Sequence, residues 1–527
     1  MSKRFGPAVL LPLALALLAQ SDSPGPRVLT FRSNVDDSDQ PYALYLPQSF
    51  NPARKYPLVI GLHEEDSNHV VNLKRLVPRD ADFIVACPYA RGVMGYQGLA
   101  EKDVYDVLAD VKRRFPIEED RVYLTGASMG GGGALWLALT RPDVWAAVAP
   151  VCAAVIPGSD ELAPNALNLP IRLFHGDQDP AVSVESSRAW QRRLLNLGAP
   201  ADYIEYPGVR HNAWDFAYKG GAIFDWFAKF RRGAFGAPYP ERVRFVTRSY
   251  RYNSAYWVRI DGLTPGVPAS IDATWTSQTD LRIETQNLDG FTLALNRPAA
   301  VVTIDGAVLR MKAAAQLSFT RSSGHWLPGL LAPSGKRPGA EGPIAEAVAA
   351  RHIYVYGTTG ARTAEELDAR RKIAETAARW STRRWRLNLA LPVKADTAVT
   401  PEDLDTADLV LFGARETNSL IARFAGRLPL ALNAGAADYG LLFVAPVGPH
   451  YLLVSSGLPW WTGADDANRG GYRYAPDQYR LLRTFGDYIL FKGALANVVA
   501  EGRFDGNWKL PADASARMLA TGTVTIH

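Results

Sequence analysis

Between residues 29 and 232, short apolar runs alternate with segments that read as helices, and this alternation constrains the fold more than any other feature. Pro57-Leu58-Val59-Ile60-Gly61-Leu62 is apolar without interruption, as in a strand buried on both faces. Residues 83–86 repeat the pattern. Residues 101–115 instead place Val104, Val107, Leu108, Val111 and Phe115 on one helical face, and Pro116 terminates that helix. Strands over 121–125, 146–151 and 171–174 and a helix over 130–140 complete the series. Strand-helix alternation of this kind predicts an α/β unit, a parallel sheet with helices on both sides.

The pattern breaks at Gly233-Ala234-Phe235-Gly236-Ala237-Pro238-Tyr239-Pro240, a composition suited to a linker. Beyond it, short alternating runs at 244–247, 256–260, 281–285, 291–295 and 301–304 are separated by turn pairs such as Pro265-Gly266 and Asp305-Gly306, which predicts a β-sandwich-like module. Residues 328–343 are loose and rich in Gly and Pro. From 345 onward the chain returns to α/β character, with strands at 352–356, 409–412, 451–455 and 488–491 in one sheet and helices at 363–380 and 417–425. The 527 residues therefore divide into a catalytic-type unit at 27–235, a β module at 241–325 and an α/β accessory unit at 345–527.

Ahead of these units, Lys3 and Arg4 precede an apolar run over 8–18, and Ala19-Gln20-Ser21 offers small residues at a cleavage site. This is the layout of an export signal over residues 1–21. The run is interrupted by Pro12 and is far shorter than the ~20 residues needed to span a bilayer, so the mature chain is expected outside the cytoplasm and off the membrane. The charge balance of 58 Lys+Arg against 53 Asp+Glu leaves +5, too dilute for a nucleic-acid or anionic-membrane surface. Two cysteines exclude a disulfide scaffold and a thiolate metal cluster. Two strands should separate Cys87 from Cys152, about 14 Å at about 4.8 Å per strand, which is too far for a disulfide. No metal-ligand spacing stands out, and no cofactor is expected.

The chemistry is concentrated at Gly126-Ala127-Ser128-Met129-Gly130, a G-x-S-x-G motif between a strand and a Gly/Ala-rich helix. A sharp strand-to-helix turn there lifts the serine hydroxyl clear of the sheet, and the helix N-terminus favours negative charge nearby. In the chain order that goes with such a nucleophile turn, an acid and then a histidine should follow. Of His63, His69, His175, His211, His325, His352, His450 and His527, only His211 follows a plausible acid inside the first unit. It sits in a turn-rich loop, Tyr206-Pro207-Gly208-Val209-Arg210-His211, whereas His63 and His175 end buried strands and read as structural. For the acid, Asp177 and Asp179 compete. Asp179 lies deeper in the loop and is favoured, while Asp177 is suited to holding the turn by capping hydrogen bonds.

Several segments together carry a resemblance. They are residues 41–47, Tyr96-Gln97-Gly98 with Glu101 and Asp103, residues 120–126, Ser128-Met129-Gly130-Gly131, the turn over 175–182, and residues 211–218. In these, about 40% of the chain resembles the secreted bacterial α/β-hydrolases of the prolyl-oligopeptidase-like esterase group, which overlaps the polyhydroxybutyrate-depolymerase-like and feruloyl-esterase-like families. The resemblance implies Ser128, Asp179 and His211 as a catalytic triad. One departure stands out: where such enzymes have a His-Gly pair after the strand at 58–62, this chain reads His63-Glu64-Glu65-Asp66. The Met129 N–H should still serve an oxyanion hole, with the second donor from Glu64 or Glu65 and both side chains pointing outward.

The implied reaction is acyl transfer through Ser128, with water resolving an acyl-enzyme. Tyr96, Gln97 and Trp214 are candidates to contact substrate, whereas Trp136 reads as core. About 30 residues separate the export signal from the strand at 57–62, and about 20 separate the strands at 146–151 and 171–174, too few for a propeller or a large cap. An open site of this kind suits carboxylic esters, on acylated carbohydrate or as small molecules. A serine peptidase on short peptides is the second reading, and a hydrolase scaffold turned to binding is the third. Gly357-Thr358-Thr359-Gly360 follows a strand but lacks phosphate-loop spacing, so the C-terminal unit is assigned a structural or docking role.

Overall fold

The computed structural model describes residues 23–77, 81–232, 239–332, 334–380, 386–467 and 477–527. The expected export signal and most of the expected linker at 233–240 lie outside these residues. Among the described residues no helix is long and apolar enough to cross a membrane.

Eight strands build the first sheet: β1 (Gly25–Arg32), β2 (Asp39–Leu46), β3 (Tyr56–Leu62), β4 (Ile84–Pro88), β5 (Ile117–Ala127), β6 (Ala147–Val151), β7 (Ile171–Gly176) and β8 (Ala201–Tyr206). Their order is β1-β2-β4-β3-β5-β6-β7-β8, antiparallel across β1, β2 and β4 and parallel from β4 onward. Residues in β3 and β4 are buried without exception, as continuous apolar runs require of strands covered on both faces. β3 and β5 lie between Cys87 on β4 and Cys152 beyond β6, and both cysteines are free, buried thiols.

The helix Leu99–Arg114 buries Val104, Val107, Leu108 and Val111 and ends at Phe115, ahead of Pro116. The helix Met129–Thr140 crosses the sheet much more closely. A Cβ on Gly130 would lie 2.3 Å from the Leu62 carbonyl oxygen, so only glycine lets that helix pass beside the end of β3. This is the α/β-hydrolase fold.

Residues 242–328 form one continuous eight-stranded sheet around a core that includes Phe245, Trp257, Ile271, Ile283, Phe291 and Phe319. The runs expected as separate strands at 291–295 and 301–304 are a single strand, Leu288–Ile304, whose pairing register shifts between Ala294 and Ala299 around Pro298. Its first part pairs with Val258–Leu263 and its last part with Asp280–Gln286, so one long strand bridges the two halves of the sheet. The strands Ala269–Trp275 and Ala307–Ser322 were not anticipated.

The C-terminal unit is a seven-stranded sheet that includes His352–Tyr356, Asp408–Phe412, His450–Gly457 and Tyr488–Lys492, with the helix Ala364–Ala378 capped by Thr363. At Gly357-Thr358, the Thr358 N–H and hydroxyl both donate to Asp396, so that turn is closed by its own carboxylate.

Candidate active site

β5 delivers Ser128 at its C-terminal end, and the sharp turn shows in a positive φ of 54° with ψ of −114°, a conformation rare for a residue with a side chain. Three backbone bonds clamp it. The Ser128 N–H donates to Val151 O at 2.9 Å, and Ser128 O accepts from Gly132 N and Ala154 N, each at 3.0 Å. Met129, the first helical residue, is buried, and its N–H belongs to the turn whose amides have no acceptor within the helix.

The loop after β7 and the loop after β8 meet where Gly176 leaves room. A Cβ at that position would lie 2.2 Å from Val209 O. Across this contact the His211 Nδ1–H donates to Asp179 Oδ2 at 2.7 Å, and Ser128 Oγ lies 2.9 Å from His211 Nε2. The carboxylate at Nδ1 makes that nitrogen the donor, which leaves Nε2 to accept from the serine hydroxyl. Asp179 has a wholly buried side chain, and its second oxygen accepts from the Ala181 and Val182 amides at 2.8 and 2.9 Å. Burial pushes the carboxyl upward, but the His211 bond and the two amides outweigh it and hold the group below the ordinary carboxylate range. Asp177 accepts instead from Gly208 N at 2.7 Å, spanning the two loops.

His175 adds a contact with no signal in the sequence. Its Nε2 lies 3.2 Å from Asp179 Oδ2 while Nδ1 meets Ser187 Oγ at 2.7 Å, and burial keeps the ring neutral by lowering its pKa. Cys152 is a second addition. Its Sγ, with an Asp179 oxygen and a His211 nitrogen, forms a group whose atoms lie within 4.8 Å of one another. Burial drives that thiol far above its usual range, and the other two donors are already engaged in hydrogen bonds, so the three do not make a ready metal site.

The Trp214 ring stands edge-on to His211, with centroids 5.4 Å apart. Tyr96 does not face substrate. It is 1% exposed, donates its hydroxyl to His63 O at 3.0 Å, and packs where Gly133 has no side chain. Gln97 also departs from expectation, because it lines a separate cavity of about 250 Å³ shared with Trp136, Tyr252, Glu341 and Tyr479. The two neighbours go separate ways, Tyr96 into the core and Gln97 into that cavity.

Glu64 corrects the expectation of an outward side chain. It is only 8% exposed, and its carboxylate accepts from the Arg75 guanidinium. That guanidinium also lies over the Trp214 ring, 5.6 Å from its centroid. Arg75 went unnoticed in the sequence because an ordinary basic residue in the last turn of the helix His69–Leu76 carries no motif.

The phospholipase/carboxylesterase family matches residues 101–217, which contain Ser128, Asp179 and His211. The chain is an enzyme, a serine hydrolase of the carboxylesterase type. Probable feruloyl esterase C of Aspergillus oryzae is 26% identical over 197 residues, covering 35% of this chain and 72% of that protein. Feruloyl esterase C of Emericella nidulans is 25% identical over 248 residues, covering 41% and 90%. Among solved structures, a thermostable esterase matches with 26% identity and a TM-score of 0.35, over 39% of this chain and 63% of its own. A ferulic acid esterase from Anaeromyces mucronatus matches with 17% identity and a TM-score of 0.31, over 38% and 92%.

Proposed function

We propose that the protein is an exported esterase that cleaves carboxylic esters, on acylated carbohydrate or as small molecules, through an acyl-enzyme on Ser128. The observation that carries this reading is the unbroken chain from Ser128 Oγ to His211 at 2.9 Å and from His211 to the buried Asp179 at 2.7 Å. His211 Nε2 takes the hydroxyl proton as Ser128 Oγ attacks the ester carbonyl. Asp179 stabilises the imidazolium without itself taking the proton, as its lowered pKa requires. The proton then passes from Nε2 to the leaving alcohol, and a water, deprotonated by the same nitrogen, releases the acid. The carbonyl oxygen becomes negative beside the Met129 N–H, with the Glu64 N–H as the second donor. Likeness to feruloyl esterases favours an ester over an amide.

A fluorophosphonate probe should label the wild type and fail to label Ser128→Ala. Acetyl and feruloyl esters should then turn over faster than prolyl-peptide amides. Faster amide cleavage would assign a peptidase instead, and a chain that takes no label would be a binding protein on this scaffold.

A further inference from the structure

Resting on the ester-hydrolase reading, we propose that Arg75 is a positioning residue whose guanidinium neutralises Glu64 and so keeps a buried carboxylate from opposing the negative charge formed at Ser128. The sheet register puts the two positions together. Leu62 on β3 pairs with Gly126 on β5, so Glu64 and Ser128 each lie two residues beyond the same rung. The backbone between them is pressed close, with the Leu62 and His63 carbonyl oxygens 2.3 and 2.8 Å from where a Gly130 Cβ would stand.

Glu64 is thus a buried carboxylate at the level of the nucleophile. A carboxylate at this position raises the energy of an oxyanion, as any like charge does in a site shielded from water.

Arg75 is placed to cancel that charge. The helix His69–Leu76 starts at Asn68, whose side chain accepts from the Val70 and Val71 amides, and its last turn carries Arg75 back onto Glu64. The Trp214 ring fixes the other face of the guanidinium, and the same ring flanks His211. Sequence reading could not supply this link, because the pair joins a strand-end loop to the far end of the next helix.

The test is a double-mutant cycle on the full chain, with p-nitrophenyl acetate as substrate and circular dichroism as the check on folding. Arg75→Gln should lower kcat about 10- to 100-fold while KM moves less than about threefold, as an uncompensated charge acting on the transition state predicts. Arg75→Lys should restore most of the rate, since it restores the charge. In a Glu64→Gln background the same Arg75→Gln change should cost less than about threefold, because the charge it neutralised is gone. Arg75→Met, which keeps packing over Trp214, takes the place of Arg75→Gln if the latter loses the wild-type spectrum. An equal loss in both backgrounds, or no loss in either, overturns the inference while leaving the hydrolase reading intact. A folded wild type that neither turns over the ester nor takes a fluorophosphonate label overturns both.

Discussion

Replacing Asp179 by Asn separates what this side chain does for the loop from what it does for His211. Oδ1 accepts from the Ala181 and Val182 amides, and an asparagine oxygen in the same place keeps both bonds, so the loop should hold. Oδ2 accepts from His211 Nδ1 at 2.7 Å and lies 3.2 Å from His175 Nε2. In the variant that position becomes an NH2 group, which can only donate. His211 then turns to the tautomer that presents a lone pair at Nδ1 and a proton at Nε2, the nitrogen 2.9 Å from Ser128 Oγ. The base is gone, and no buried carboxylate offsets the imidazolium. A wrong tautomer of this kind costs about 10⁴ in kcat, equivalent to about 5.5 kcal/mol of barrier. Steady-state hydrolysis of p-nitrophenyl acetate measures the loss, with thermal unfolding as the control, expected within about 1 kcal/mol of wild type. Asp177→Asn is the counterpart. Its carboxylate bonds only to the turn, through Gly208 N at 2.7 Å among the bonds of the described residues, so its rate should stay within about threefold of wild type and only the loop should weaken, by about 1 kcal/mol. An Asp179→Asn enzyme that keeps a tenth or more of wild-type kcat, or an Asp177→Asn enzyme that loses as much, would refute the assignment of the acid.

Gly130→Ala should destabilise the first unit by about 3 kcal/mol or prevent soluble expression, because the new Cβ meets the Leu62 carbonyl at 2.3 Å and that strand cannot retreat; a melting temperature equal to wild type would contradict the close crossing. The C-terminal unit should carry an acid sensitivity of its own. Burial lowers the pKa of His352 from 6.5 to about 4, against a hydrogen bond to Ala350 O that favours the protonated form. Below about pH 6.5 the unfolded chain takes up a proton that the folded chain refuses until about pH 4, so stability falls across that window by up to about 3 kcal/mol and is unaffected above it. Thermal midpoints at pH 7 and pH 4.5 should therefore differ more in wild type than in His352→Gln, and an equal difference in both would exclude His352 as the cause.

What the sequence made legible depended on how local each determinant was. The buried strand β3, the Gly-rich helix and the elbow at Ser128 are set by residues a few positions apart, and they stand where the alternation put them. The order of serine, acid and histidine is what the motif at Ser128 implies, so His211 could be chosen and Asp179 favoured over Asp177 before any distance was known. The strand Ala307–Ser322 escaped notice for the opposite reason. Its alternation, Leu309-Arg310-Met311-Lys312 and Leu317-Ser318-Phe319-Thr320, is broken by the run Ala313-Ala314-Ala315, and most of its residues stay exposed or half-buried, so neither half reads as a core strand. Tyr96 and Gln97 were misplaced because nearness to a motif along the chain does not say which way a side chain faces. Arg75 is the hardest case. Its partners Glu64 and Trp214 lie 150 positions apart in the chain, and only the folded chain brings the three together.

The same reasoning explains why the long C-terminal stretch carried no chemical signature. It packs against the hydrolase rather than standing apart from it: one hydrophobic cluster holds Tyr96, Leu99 and Trp145 together with Trp380, Trp460 and Tyr479. At this boundary Arg91 is wholly buried between Asp36 at 2.7 Å and Asp103 at 2.8 Å, and it also donates to Asn388 O at 3.2 Å. Asp36 in turn accepts from Ala390 N at 3.1 Å. A guanidinium this deep is tolerable only while its donors are satisfied and water is kept out, and here part of both conditions is met by residues 386–390. Selection for that role acts on packing and on backbone carbonyls, which almost any sequence of suitable shape can supply. Such a role leaves no motif.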